Sequence, residues 1–208
     1  QQTVTITASK DNTLYEDPLG ASSNGAGSFL FTGKTNQAAN GVRRALVKFD
    51  LAGKLPDNAV ITWVKLKLNV SKTITAASDV KIHRVLADWG EGTSDAGTNE
   101  GGGAVATTND ATWKFKFFNT QSWTNLGGDF NPSASATKSV SGTGSYQWED
   151  SLLLADVRSW YSTPSTNFGW IILGNESAQS AKRLDSRTAT TAANRPQLII
   201  EFTVPTSV

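Results

Sequence analysis

Residues 61–70 read Ile-Thr-Trp-Val-Lys-Leu-Lys-Leu-Asn-Val, and their character alternates with a period of two. Val64, Leu66, Leu68 and Val70 share one face; Trp63, Lys65, Lys67 and Asn69 share the other. Successive side chains of a strand point to opposite sides, so this pattern calls for an antiparallel strand with one buried and one solvated face. Shorter runs of the same kind occupy residues 3–7, 44–50, 80–85, 112–118, 169–173 and 197–204. Clusters of Gly, Ser, Asn, Thr and Pro lie between them and read as turns and long loops, among them residues 90–111 and 131–145.

Only residues 150–161 carry helical spacing, with Leu153, Val157, Trp160 and Tyr161 on one side and Asp150 or Ser151 placed to cap the start. Many strands, one short helix and no βαβ alternation predict an all-β fold, an antiparallel two-sheet sandwich of jelly-roll type. Neither half of the chain has enough strands to close its own core, so all 208 residues are expected to form one domain. No internal repeat is visible.

Nineteen basic and eighteen acidic side chains leave a formal charge of +1, and the cations are scattered. Nucleic-acid binding, which draws on clustered cations to release counterions, is not expected. No apolar run approaches the roughly 20 residues that a membrane-spanning helix needs, so membrane insertion is not expected either. The chain contains no Met even at position 1, which suits removal of a secretory signal and an extracellular location. Cys is absent as well, which excludes disulfides, thiol chemistry and zinc–thiolate sites. Asn69-Val-Ser71 and Asn175-Glu-Ser177 have the form of glycosylation sequons.

Several segments, taken in order, resemble a known family: ASKDNTLYED (8–17), RRALVKFDLAGKLPDNAVITWVKLKLNV (43–70), VKIHRVLADWGEG (80–92), ATW (111–113) and WTNLGGDF (123–130). DVRSWYSTPSTNFGWIIL (156–173), RLDSR (183–187) and RPQLIIEF (195–202) complete the set. Together they are similar to the secreted DNRLRE domain, which overlaps carbohydrate-binding module family 96 and the disaggregatase-related repeats of archaeal surface proteins. The resemblance implies an extracellular β-sandwich attached to a larger enzyme or surface protein that acts on acidic or structural polysaccharides, some members being assigned to alginate. It carries no catalytic set. The chain departs from the family after Arg187, where members often have Glu, and in the length of the loop that follows Gly92.

The residues permit three kinds of chemistry. Sugar faces stack on aromatic rings, and Trp123 and Trp148 border polar loops, whereas Trp89, Trp113 and Trp160 read as structural. Uronate carboxylates suit guanidinium forks, so Arg43, Arg44, Lys48, Arg84, Arg183 and Arg187 are candidate ligand contacts, some of them expected to hold loop carbonyls or loop acids instead. The Gly-rich loop DWGEGTSDAGTNEGGG (88–103) supplies oxygen ligands, and Glu91 and Asp129, with Asp88 or Asp95, are expected to share a structural Ca²⁺. Residues 93–103 are expected to form a mobile rim with solvated acids. Catalysis has weaker support. The one His, His83, lies on a strand with no nucleophile-elbow pattern nearby, and neither the acids Glu91, Asp129, Glu149 and Asp150 nor Tyr15, Tyr146 and Tyr161 are singled out by spacing.

A non-catalytic carbohydrate-binding module is therefore the expected function. A polysaccharide lyase or hydrolase and a self-associating matrix protein are the alternatives.

Overall fold

The computed structural model describes residues 1–206. Its strands are β1 (Gln2–Thr7), β2 (Lys10–Tyr15), β3 (Ser22–Ser23), β4 (Phe29–Lys34), β5 (Val42–Lys48), β6 (Val60–Thr73), β7 (Ser78–Arg84) and β8 (Ala104–Val105). They continue with β9 (Phe115–Phe117), β10 (Gln121–Ser122), β11 (Ala136–Val140), β12 (Gly144–Trp148), β13 (Trp170–Leu173), β14 (Lys182–Asp185) and β15 (Gln197–Thr203). One α-helix, α1 (Ser151–Ser162), interrupts them. The fold is mostly β with antiparallel, curled sheets, as the alternation demanded.

Eleven strands form one hydrogen-bonded array in the order β1-β15-β6-β14-β4-β5-β13-β7-β11, with β12 on β6 and β2 on β5. The pairs β9–β10 and β3–β8 are separate. The long strand β6 keeps its expected alternation: Val64, Leu66, Leu68 and Val70 are buried while Lys65, Lys67 and Asn69 remain partly open. The inward faces of β6, β14 and β15 share one apolar cluster with those of β5, β7 and β13, including Leu66, Leu184 and Ile200 together with Val47, Ile82 and Ile172.

Helix α1 begins where Asp150 accepts a hydrogen bond from the Leu152 amide at 2.9 Å, the N-cap its position suggested. It buries Leu153, Val157 and Trp160 against the same cluster and stops before Pro164. Residues 131–145 are not wholly loop: β11 lies within them and pairs with β7. Its Thr-Lys-Ser centre is exposed, so only its ends, Ala136 and Val140, carry an apolar signal. Conversely, residues 112–118 contribute only the three-residue β9, because the chain folds over a sheet face there and does not extend along an edge.

Candidate functional site

The Trp-rich loops between β7 and β11 cover one outer sheet face. Trp89, Trp113 and Trp123 form a second buried cluster with Leu14, Leu46 and Ile171, which project from β2, β5 and β13. Glycines permit the close approach. A Cβ on Gly90 would meet the Asn109 carbonyl oxygen at 1.6 Å, and Gly92 has φ of +68°, which L side chains rarely adopt. Trp123 is thus covered, its indole N–H donating to the Thr112 carbonyl at 2.9 Å. Trp148 is buried on β12 and donates to the Val80 carbonyl at 2.9 Å. Neither ring is open to stack on a sugar, a correction to the expectation drawn from their loop-bordering positions.

Most expected cations are also occupied. Arg43 is buried against the Tyr15 ring and donates to the carbonyls of Asn40, Val42 and Gly101. Arg44 forms a two-point pair with Glu176 (2.9 and 2.8 Å), donates to the Gly127 carbonyl and lies over the Trp113 ring. Arg84 approaches Asp156 at 3.9 Å and donates to Ser159 and Thr166. Arg187 clamps Glu91 through Nε at 2.6 Å and through a second nitrogen. Lys48 lies apart from these, beside a small cavity near the end of α1.

The four acids expected to share a metal have separate partners. Asp88 pairs with Lys10 at 2.9 Å; burial works to raise its pKa, but the Lys10 ammonium outweighs that and leaves it below the ordinary value. Glu91 takes Arg187 and the Asp11 amide. Asp129 accepts from the amides of Thr124 and Asn125, both at 2.9 Å, closing a turn. Asp95 is exposed and accepts from the Gly97 amide. Among the described residues, no group of three or more His, Asp or Glu side chains is placed to hold a metal ion. Beside Glu91 sits Asp11, fully buried, its carboxyl pushed up to about 7 by desolvation.

The expected mobile rim is anchored. Glu100 is buried and accepts from Asn24 Nδ2 at 3.0 Å and the Phe29 amide at 3.1 Å, while its carbonyl receives the Tyr15 hydroxyl at 2.6 Å. Ser94 is buried against Asp110. Only Asp95, of the two acids in this part, is solvated.

The groups considered for catalysis each have a structural partner. Glu149 accepts from Trp63, Asp150 caps α1, and Tyr161 and Tyr146 donate to the carbonyls of Pro56 and Gly142. His83 is buried, with Nδ1 2.8 Å from the Asn131 carbonyl oxygen; burial holds its pKa below the ordinary value. Among the described residues, no hydroxyl is hydrogen-bonded to its ring.

Arg183 is different. The ladders set Phe31 of β4, Arg183 of β14 and Lys72 of β6 side by side across three strands. A register shift between Arg183 and Leu184 makes this possible. Without it, Lys72 would follow the alternation of Val70 and face inward; with it, Lys72 lies beside Arg183 on the open side. The Arg183 guanidinium stacks 3.9 Å from the Phe29 ring centre and donates through Nε to Ser71 Oγ at 2.9 Å. Its two terminal nitrogens have no acceptor among the described residues.

Around Arg183 three depressions of about 440, 460 and 300 Å³ share walls and make one trough. Phe31 and Lys72 line two of them, Phe29 lines one of these and the third, and the 97–101 segment of the Gly-rich loop forms one bank. Asn36, Gln179, Asn99 and Asn194 add amides. The acids here are engaged: Asp185 accepts from Asn69, and Glu100 holds the loop. The trough therefore offers aromatic edges, two cations with donors to spare and a rim of amides. The sequence named Arg183 but not Phe29, Phe31 or Lys72; their convergence depends on strand order and on the bulge. No protein-family model matches the chain, and no curated protein matches it in sequence, so the resemblance to the DNRLRE family rests on the quoted segments alone.

Proposed function

We propose that the chain is a non-catalytic carbohydrate-binding module, a single two-sheet β-sandwich of jelly-roll type, from a larger secreted or cell-surface protein. It holds an anionic polysaccharide in the Arg183 trough. The carrying observation is Arg183 itself, a guanidinium flattened on Phe29 with its terminal nitrogens unused, beside Lys72. Such a planar fork matches a carboxylate or sulfate bidentately, whereas an ammonium acts as a point charge. Phe31 supplies an apolar edge for a pyranose C–H face, and the amides accept and donate to hydroxyls. Beyond the trough, the open face of β6 continues through Lys67 and Lys65 to the partly buried Trp63, a path for an extended chain.

The test is retention by a gel containing an anionic glycan, such as polygalacturonate or alginate, against a neutral glucan gel. Arg183→Ala is expected to weaken retention on the anionic gel about tenfold or more, the scale of a lost charge-assisted hydrogen bond. Equal retention of the wild-type protein and the variant would remove the trough from the reading.

One observation favours self-association as the second reading. Edge strand β1 pairs only with β15 and carries no charge and no proline to discourage pairing with another chain. Sedimentation across a range of concentrations distinguishes the two, since a binding module stays monomeric without glycan.

A further inference from the structure

The cavity near the end of α1, about 180 Å³, is separate from the trough and built differently. Trp160 lines it, fully buried, and the Trp160 indole N–H has no hydrogen-bond partner. Every other described Trp donates its N–H to a protein oxygen except Trp113, so the orphan is conspicuous: a buried donor left unpaired costs about 1–3 kcal/mol. The remaining polar wall consists of Lys48, the carboxylates of Asp50 and Asp57, and Tyr161 and Asn167, whose donors are already given to the carbonyls of Pro56 and Phe49. Asp57 makes no hydrogen bond to the described protein, and Asp50 accepts one, from the Ala52 amide at 3.0 Å. Leu55 and Pro164 supply an apolar side.

We propose that this cavity is a second binding site, taking the single terminal ring of a neutral sugar chain. Its volume equals about six waters at 30 Å³ each, the scale of one ring and well below a drug-sized pocket. Two carboxylates against one ammonium give an excess negative charge, which turns away uronates and accepts hydrogen bonds from hydroxyls. A cationic ligand would suit the acids but carries no acceptor for the Trp160 N–H, and it would meet Lys48. A polyol has both donors and acceptors, and its C–H face suits Leu55 and Pro164. None of the residues that line the trough lines this cavity.

The readout is the indole N–H region of a ¹H–¹⁵N spectrum, where each of the seven tryptophans gives one signal. Trp160→Phe assigns the Trp160 signal by its loss. Glucose, galactose, mannose and, as the charged counterpart, glucuronate are titrated to about 50 mM, enough to fill a millimolar site. At least one neutral sugar is expected to move the Trp160 signal saturably. The exposed Asp57→Asn change should weaken that sugar about tenfold, and Arg183→Ala should leave its affinity unchanged. No movement with any neutral sugar overturns the proposal, as do a preference for glucuronate and loss of the effect in Arg183→Ala. Failure of the trough on the anionic gel leaves this result standing, and the reverse also holds.

Discussion

Arg44 and Arg183 occupy comparable positions on two outer faces, each projecting from a strand and stacked on an aromatic ring, Trp113 at 4.7 Å and Phe29 at 3.9 Å. Their surroundings differ. Over Arg44, the loops of residues 86–130 fold back and bury Trp89, Trp113 and Trp123, while Glu176 and the Gly127 carbonyl give each nitrogen of the guanidinium an acceptor. Over Arg183 no loop closes; the 97–101 segment stops at the bank, leaving terminal nitrogens for an outside acceptor. The same residue type is structural where a loop is long enough to cover it and available for recognition where the loop only borders it.

The largest effect expected from breaking this contrast comes from the covered face. Trp89 is fully buried and donates to the Phe168 carbonyl at 2.8 Å. Trp89→Ala is expected to cost about 3–5 kcal/mol in chemical denaturation. A loss below about 1 kcal/mol would show that the cover does not stabilise the sheet beneath it.

A pH effect comes next. Asp11 is buried beside Glu91, and its carboxyl is raised by desolvation from 3.8 to about 7 in the folded chain. Between these values the folded chain holds a proton that the unfolded chain has released. The Asp11 contribution to stability therefore falls as pH rises from about 4 to about 7, then levels off, a change on the order of a few kcal/mol. Asp11→Asn, which keeps the shape and an acceptor for the Arg187 amide, is expected to flatten that part of the stability curve relative to wild type. Superimposable curves for the two proteins would rule out this titration.

On the open face, Arg183→Ala should change stability by no more than about 0.5–1 kcal/mol, because its protein contacts are one hydroxyl and one ring. A larger loss would make Arg183 a structural residue like Arg44. The smallest expected effect is that of a chelator. With Arg187 on Glu91, Lys10 on Asp88 and backbone amides on Asp129, these acids are satisfied from within the chain. EDTA is expected to leave the thermal midpoint in place, and a fall of several degrees would restore a calcium site to this loop.

Much of the strand framework was legible because one-sided burial writes itself as alternation, as in β6, β15 and the inward half of β7. Strand β14 was not, since Lys182 points inward: its ammonium is buried and donates to Thr73 and the Ala76 carbonyl, and desolvation lowers its pKa. A buried Lys reverses the pattern a reader relies on. Strand β2 was hidden for a related reason, with Asp11, Asn12 and Thr13 all buried under the loops that cover them. In the candidate site, Arg183 was legible as a cation in a motif-like segment. Its freedom, and its company of Phe29, Phe31 and Lys72, were not.

By itself, the sequence determined the antiparallel β class, the one helix with its cap and the absence of thiol chemistry, because those follow from local spacing and composition. Which charges are spent and which remain was decided by the tertiary structure alone. Glu176 reaches Arg44 across 132 positions of chain and Glu91 reaches Arg187 across 96. A guanidinium is satisfied by whatever acceptor the fold carries to it, and that acceptor leaves no mark in the residues on either side.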